Sequence, residues 1–453
     1  MKGTGDVSGT AGLADDALAA YLFGYPLVLG AVTRRNMLAA GLRGNELFLA
    51  SGYPRPADRI VVRPAVDQLA CVAWLDLKAG PLVLHLPALQ GRYCVVELLD
   101  AWSNVFASLG SRTTGEQAGD YLLAGPGFTG EAPPLPRINA PTDSVLLRGG
   151  VAVRGAGDLA AARALLDGFG LAPLAFYRKY GSFAPGSTLP QARLVARPAS
   201  VRLAEGLDAE SYFTLLSAGM AANPPAPDAE MERRLGALGL LAQPFVFSAL
   251  PSPAARALTA AVAEGPGVIR RAARQAYAGA SKNGGWLLPL EGIGVYGDWY
   301  LQRAAAARYL PGAPIPQDTA CAFCASDAQG LPLQGRRAYR LRFPPGAFPP
   351  VNASWSLTVY NSEGFLARNP SGRFALGPQL GRLIYGEDGS LELLIGRCPP
   401  PRAEQFNWLP APRGVFNLLL RLRWPAGEVL SGKWKPQPPE RLEPAESASS
   451  GRK

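Results

Sequence analysis

The sequence predicts a mainly β protein with a helical insert: two antiparallel β-sandwich or jelly-roll-like domains joined by a helical segment. Three observations predict it. Short apolar runs recur over residues 57–154 and again over 318–423, divided by Pro, Gly and Asn, which is how strands and turns read. Between them, residues 205–282 change period, with apolar residues three and four apart, as one face of a helix requires. The 453 residues include 52 Gly and 43 Pro, yet 48% are hydrophobic, so a large core must alternate with many turns. The boundaries drawn from these shifts are a flexible tail over 1–14 and a β-rich domain over 15–204. A helical linker over 205–310, a jelly-roll-like domain over 311–438 and a second flexible tail over 439–453 follow.

In chain order, Asp15 and Asp16 introduce a helix carrying Leu18, Tyr21, Leu22 and Tyr25, since acidic residues favour a first turn. Pro26 is expected to kink or end it, and a second helical piece to run from Val28 to Ala40. Residues 17–32 are apolar but read as too short to span a bilayer. Strands are expected over 71–77, in PLVLHLP (81–87), in RYCVVELLD (92–100) and over 145–154. The turn ALQG would make the second and third of these neighbours, bringing His85 near Cys94. A helix over 157–169 follows, with Asp158 in its first turn.

The helical stretch divides at its prolines. One helix covers 209–221, stopped by Pro224. Another covers 227–239, with Met231, Leu235 and Leu238 inward and a Glu230–Arg234 pair outward. Ser252-Pro253 opens a third, and Pro266 a fourth that runs to Gly279. A helix over 298–308 places Tyr300 and Arg303, three residues apart, on one face. Strands then follow over 318–325, 336–343, 353–360, 373–376, 382–385, 391–396 and 415–423.

Composition excludes several chemistries. The net charge of +10 comes from 45 Lys and Arg against 35 Asp and Glu. The basic residues are scattered, without the dense stripe that nucleic acid requires, so no nucleic-acid partner is expected. The single histidine, His85, leaves no histidine-rich zinc or iron site, and no metal is expected. Cys71, Cys94, Cys321, Cys324 and Cys398 are odd in number. The spacing of Cys321 and Cys324 puts them on opposite faces of a strand, so they read as separate thiols. No phosphate-binding GxxxxGK[ST] loop occurs, and GIGVYG (292–297) has the GxGxxG spacing without a βαβ unit around it. No cofactor is expected. Nor is an integral membrane segment, and the chain as given reads as cytoplasmic, or as periplasmic or secreted had an export signal been removed. Exposed β edges are compatible with a homo-oligomer.

Two long stretches carry a family resemblance. Ala73–Gly115, AWLDLKAGPLVLHLPALQGRYCVVELLDAWSNVFASLGSRTTG, is followed by GDYLLAGPG (119–127). Near the C-terminus stand WSLTVYNSEGFLARNPSGRFAL (355–376) and NWLPAP (407–412). In order and content these resemble a bacterial two-domain family of unknown function (domains of unknown function 1254 and 1214), over residues 15–438. The resemblance implies the opening helix and the linker helix before a jelly-roll-like second domain. It implies no reaction. Where relatives usually read Pro-Asn-x-Asp-Thr, this chain has Pro64-Ala65-Val66-Asp67-Gln68. Asp67 is kept; Ala65 and Gln68 replace the Asn and Thr.

The expected function is an enzyme, independent of metal and nucleotide, acting on a small, largely apolar organic substrate as a hydrolase, isomerase, lyase or cyclase. The expected site is a cleft between the two β domains. Asp67 is the candidate general base, since a buried carboxyl group can be tuned for proton transfer. Tyr300 and Arg303 complete the catalytic set. Arg63, Trp74, Trp102, Asn104, Tyr296, Trp355, Tyr360, Asn361, Asn407 and Trp408 are the candidate binding residues, because aromatic rings and amides orient an apolar ligand. Each also has a structural reading: an Arg63–Asp67 pair, turn-forming asparagines, tryptophans covering a sheet. The alternative function is a non-catalytic small-molecule or protein binding and assembly protein.

Overall fold

The computed structural model describes residues 7–442 other than 189, 191–192, 195–196 and 283–284. Two β-rich regions are separated by a stretch rich in helices. The chain forms two compact units: one runs to Gln275 and takes up Leu290–Asp318, and the other comprises Ala276–Pro289 and the chain from Thr319.

The first unit opens with helix α1 (Val7–Ala39), which starts inside the expected tail and runs unbroken through Pro26. A mid-helix proline costs about 3 kcal/mol through a lost bond and a clash. Packing on all sides offsets this. Tyr21, Phe23, Tyr25, Leu27, Val28 and Leu29 are all buried, so α1 is a core helix. Its Gly12–Ala39 portion is long and apolar enough to cross a membrane, but 67% of the most apolar window is buried inside the protein. The expectation that this stretch is too short fails because the helix does not stop at Pro26.

The first β region contains β1 (Phe48–Leu49), β2 (Gln68–Asp76), β3 (Leu82–Leu86), β4 (Cys94–Leu99), β5 (Val105–Gly110), β6 (Gly119–Ala124), β7 (Arg137–Asn139) and β8 (Ser144–Ala152). Helix α2 (Leu159–Asp167), β9 (Gly170–Pro173), α3 (Leu174–Tyr180), β10 (Ala184–Pro185) and β11 (Ser187–Thr188) complete it. One sheet has the order β11-β1-β2-β8-β4-β5, the other β10-β9-β3-β6-β7. Strict alternation in β2 turns Leu69, Cys71, Ala73 and Leu75 inward. These join Leu82, Leu84 and Leu86 of β3 and Cys94, Val96 and Leu98 of β4 in one apolar cluster. In β8, a Cβ on Gly149 would lie 2.1 Å from the Val95 carbonyl oxygen, so glycine there lets the neighbouring strand approach.

Two expectations need correction. The pairs β1–β11 and β6–β7 are parallel, so this region is mixed. The strands β3 and β4 belong to different sheets, because the chain crosses between sheets after Leu86. His85 is therefore not paired with Cys94. It bonds Asp120 (Nδ1 to Oδ1, 2.6 Å) and stacks on Phe183.

The helices of this unit are α4 (Ser200–Glu205), α5 (Ala209–Ala222), α6 (Ala229–Ala237), α7 (Ser252–Lys282), whose last residues from Ala276 belong to the other unit, and α8 (Tyr300–Tyr309). Asp208 caps α5 and Asp228 caps α6, each accepting a backbone N–H. Met231, Leu235 and Leu238 are buried, and Arg234 pairs with Glu230 at 2.8 Å. The two helices expected on either side of Pro266 are one, α7. As in α1, an apolar face carries the helix across its proline: Leu258, Ala261 and Ile269 join the α1 cluster.

The second unit holds β12 (Trp286–Leu287), β13 (Thr319–Cys324), β14 (Ala338–Phe343), β15 (Val351–Asn361), β16 (Ala375–Leu376), β17 (Leu391–Gly396), β18 (Trp408–Pro410), β19 (Phe416–Pro425), α9 (Gly427–Leu430) and β20 (Glu440–Leu442). Its sheets have the orders β12-β13-β19-β15-β16 and β18-β17-β14-β20. Among the described residues all its strand pairs are antiparallel except β17–β18. Residues 382–385, expected as a strand, are a loop. Strand β20 lies within the expected second tail and is ordered by pairing with β14. Cys71, Cys94, Cys321 and Cys324 are buried thiols and Cys398 is exposed.

Candidate functional site

Helix α8 positions the most unusual side chain of the first unit. Tyr300 and Arg303 lie three residues apart, and both turn toward α1. Arg303 is 5% exposed. One Nη2–H donates to the Phe23 carbonyl at 3.1 Å. The guanidinium carbon stands 5.5 Å from the Phe23 ring centre, 5.4 Å from Trp102 and 5.0 Å from Tyr300. The rings also pack on each other, Phe23 on Trp102 at 4.7 Å and edge-on to Tyr300 at 5.1 Å. Among the described residues no carboxylate pairs with Arg303, and its Nε has no hydrogen-bond partner. Burial pushes its pKa down, offset in part by the charge of Asp100. A guanidinium nevertheless stays protonated, so the three ring faces substitute for a counter-ion. Such contacts are worth roughly 0.5–2 kcal/mol each.

A tight loop fixes Trp102. The Asp100 carboxylate accepts from the N–H of Trp102 (2.9 Å) and the N–H and side chain of Asn104 (2.8 and 3.0 Å). Burial raises its pKa, and these bonds oppose the rise. The Asn104 Oδ1 accepts from the Tyr296 N–H at 3.2 Å, and Val105 N–H donates to Gly294 O at 2.6 Å. Tyr296 is buried, its phenol pushed up to about 12 by burial. Trp102 Nε1 donates to Asn223 O at 3.1 Å.

Tyr300 donates its hydroxyl to Asp228 Oδ2, while Asp228 Oδ1 accepts from Met231 N–H at 2.9 Å. The Tyr300 bond, then the backbone bonds, hold the Asp228 carboxyl below its ordinary value. The Tyr300 phenol is pushed up by burial first and by Asp228 second. Cavities flank this pair. One, about 380 Å³, is walled by Phe23, Met220, Met231, Leu235, Leu240 and the 225–228 turn, with Asp228, Glu232 and Gln243 as its polar lining. The other, about 460 Å³, lies over Ala19, Leu22, Trp299, Tyr300 and Gln302. Asp298, Trp299 and Leu301 of its wall are exposed, so it is a surface depression. The first also opens to solvent, at Ala226, Pro227, Glu232, Leu241 and Gln243, but its floor of Phe23, Met231, Leu235 and Leu240 is buried, and it is the better ligand space.

The structure thus gathers Trp102, Asn104, Tyr296, Tyr300 and Arg303 of the expected site residues. Arg63 lies elsewhere, donating to Tyr309 O at 2.5 Å at the far end of α8, roughly 14 Å along the axis from Tyr300 at 1.5 Å per residue. Asp67 is buried just before β2, its carbonyl accepting from Val153 N–H at 3.1 Å. Neither Arg63 nor Asp67 is free of partners. Trp74 donates Nε1 to the Met37 sulfur at 3.2 Å.

The remaining candidates belong to the second unit. Trp355 packs on Phe343, and Tyr360 takes a hydrogen bond from Arg421 at 2.9 Å. Asn361 Oδ1 accepts from the N–H groups of Glu363 and Phe365, closing a turn. Asn407 bonds Ile384 and Glu392, and Trp408 Nε1 donates to Gly396 O at 2.9 Å. Phe23, Asp228 and Glu232 were not singled out from sequence. Asp228 reads as an ordinary helix cap, and nothing local signals a partner 72 residues away. Among the described residues no three His, Cys, Asp or Glu side chains converge as a metal site would require.

These features define a two-part protein: β regions of mixed pairing with a helical body that carries a small cavity. Residues 44–173 match the family model described as a protein of unknown function (domain of unknown function 1254), and residues 319–427 match that of domain of unknown function 1214. The chain belongs to this bacterial two-domain family. The VPA0106 protein from Vibrio parahaemolyticus has the same fold, with a TM-score of 0.67 at 18% identity over 95% of this chain and 100% of that one. An uncharacterized protein from Burkholderia cenocepacia is more distant, at TM-score 0.42 and 11% identity over 96% and 95% of the two chains. No curated protein matches the chain by sequence.

Proposed function

We propose that the first unit binds a small, largely apolar organic molecule in the cavity beside the Tyr300–Asp228 pair. The observation that carries this reading is the carboxylate of Asp228, fixed by the Tyr300 hydroxyl, at the edge of a wall that is apolar but for Glu232 and Gln243. Ligand sites are mostly apolar with a few placed polar groups, and begin near 300 Å³. Arg303 and its aromatic box hold α1, α8 and the Trp102 loop together, and so keep Phe23 in place. We also read each β region as a two-sheet sandwich, the first because its sheets share one apolar cluster.

An enzyme working by proton transfer at Tyr300–Asp228, with no need of metal or nucleotide, is the second reading; the hydrogen bond between the two groups favours it. Binding comes first because of their protonation. A general base or acid works best near the ambient pH. Asp228 is held ionised and Tyr300 protonated, which suits orientation better than proton exchange. The test is titration of the full chain with a set of neutral, cationic and anionic aromatic molecules, followed by Trp fluorescence. The expected result is saturable one-to-one binding by at least one member, lost when L241W fills the cavity mouth and kept in D67N. Failure of every member to saturate at millimolar concentration would overturn the reading.

A further inference from the structure

The charge lining the cavity says more about its ligand, provided that the cavity is the binding site as read above. We propose that it takes an apolar amine, held as its ammonium between Asp228 and Glu232. The floor of this half-open cavity is hydrocarbon and thioether: Phe23, Met220, Met231, Leu235 and Leu240. Among the described residues its ionisable groups are these two carboxylates alone, and no Lys, Arg or His lines it.

The arginines of α6 are committed elsewhere. Arg233 and Arg234 both bond Glu230 and approach Asp16. That leaves Glu232 without an ion pair among the described residues. Asp228 accepts from the Tyr300 hydroxyl on one carboxylate oxygen and from Met231 N–H on the other, and also faces the Glu230 N–H. An ionised carboxylate has about four acceptor positions, so capacity for an ammonium remains. The α6 N-terminus opposes a cation with the equivalent of about +0.5 charge, against two full negative charges. The balance is negative. An anionic ligand would meet those two charges with no cation on the described wall to compensate, and a neutral one would gain nothing from them, since water already solvates the exposed Glu232. The size fits one aromatic ring with a short amine arm, and the methionines adapt to its shape.

The probes are 2-phenylethylamine, 2-phenylethanol and 3-phenylpropanoate, titrated calorimetrically into the full chain, into E232Q and into L241W. Glu232 is exposed, so E232Q leaves the fold intact, which a thermal melt verifies. The expected result is that the amine binds at least tenfold more tightly than the other two. E232Q weakens the amine about tenfold and leaves the alcohol unchanged. Added salt weakens the amine alone. Equal affinity for alcohol and amine, tighter binding of the carboxylate, or an unaltered amine in E232Q would overturn the amine assignment while leaving the cavity reading intact. If no probe binds, or if L241W binds all three as well as the natural chain, the cavity reading falls and the amine with it.

Discussion

Asp228 serves two masters: one carboxylate oxygen caps α6 at Met231, and the other receives the Tyr300 hydroxyl from α8. The two bonds tie the start of one helix to the start of another, 72 residues on. They also keep the carboxyl ionised further into acid than usual.

Stability should therefore depend on pH through Asp228. Its folded pKa lies below the unfolded value of about 3.9. Between the two the unfolded chain binds more protons, so the stabilisation is whole above pH 4 and is lost as pH falls through the folded value. D228N keeps a good cap but has no charge. The stability gap between the natural chain and D228N should be constant from pH 5 to 7 and close below about pH 4. Y300F should lose about 1 kcal/mol at neutral pH and finish closing its smaller gap to D228N at a higher pH than the natural chain does. Urea unfolding at a series of pH values measures both. A gap that ignores pH would show that the Tyr300 bond does not hold the charge.

Much of the fold was legible because strand and helix periods are local. The run expected over 391–396 is β17, and Met231, Leu235 and Leu238 face the core as their spacing requires. What failed was punctuation. Pro26 and Pro266 read as breaks, yet α1 and α7 continue through them, because burial on several faces outweighs one lost bond. The parallel pairings and the separation of β3 from β4 are decided by tertiary contact, which no local period encodes. The site followed the same rule. Tyr300 and Arg303 stood out by type and spacing. Phe23 was hidden between Tyr21 and Tyr25, and Asp228 by its ordinary role as a cap.

Asn407 offers a check on the second unit. Its Nδ2 donates to Ile384 O (2.6 Å) and Glu392 O (2.9 Å), and its Oδ1 accepts from Ile384 N–H (2.8 Å). This amide pins the 382–385 loop at Ile384, beside the Arg382 contact with the Phe406 ring and the Tyr385 contact with Phe348. N407A should cost about 1 kcal/mol, since it removes three part-buried hydrogen bonds to backbone groups that water can reach in part. N407D should cost more at neutral pH, because a carboxylate would face two carbonyl oxygens, and should recover in acid as it becomes a donor. Thermal melts at pH 4 and 7 separate the two variants; identical behaviour would mean that the loop is held elsewhere.

Arg303 can be tested by separating its volume from its charge. Truncation in R303A empties the centre of the Phe23, Trp102 and Tyr300 box, and a cavity there should cost about 2–4 kcal/mol. R303M restores most of the volume without charge. An apolar replacement for a buried charge is often neutral or stabilising, so R303M should lie within about 1 kcal/mol of the natural chain. R303K keeps the charge but not the planar face that stacks on rings, and it strands an ammonium; it should be less stable than R303M. Urea unfolding fixes this order. If R303K proved the most stable of the three, the charge itself would be what the fold needs, and the rings would be only its container.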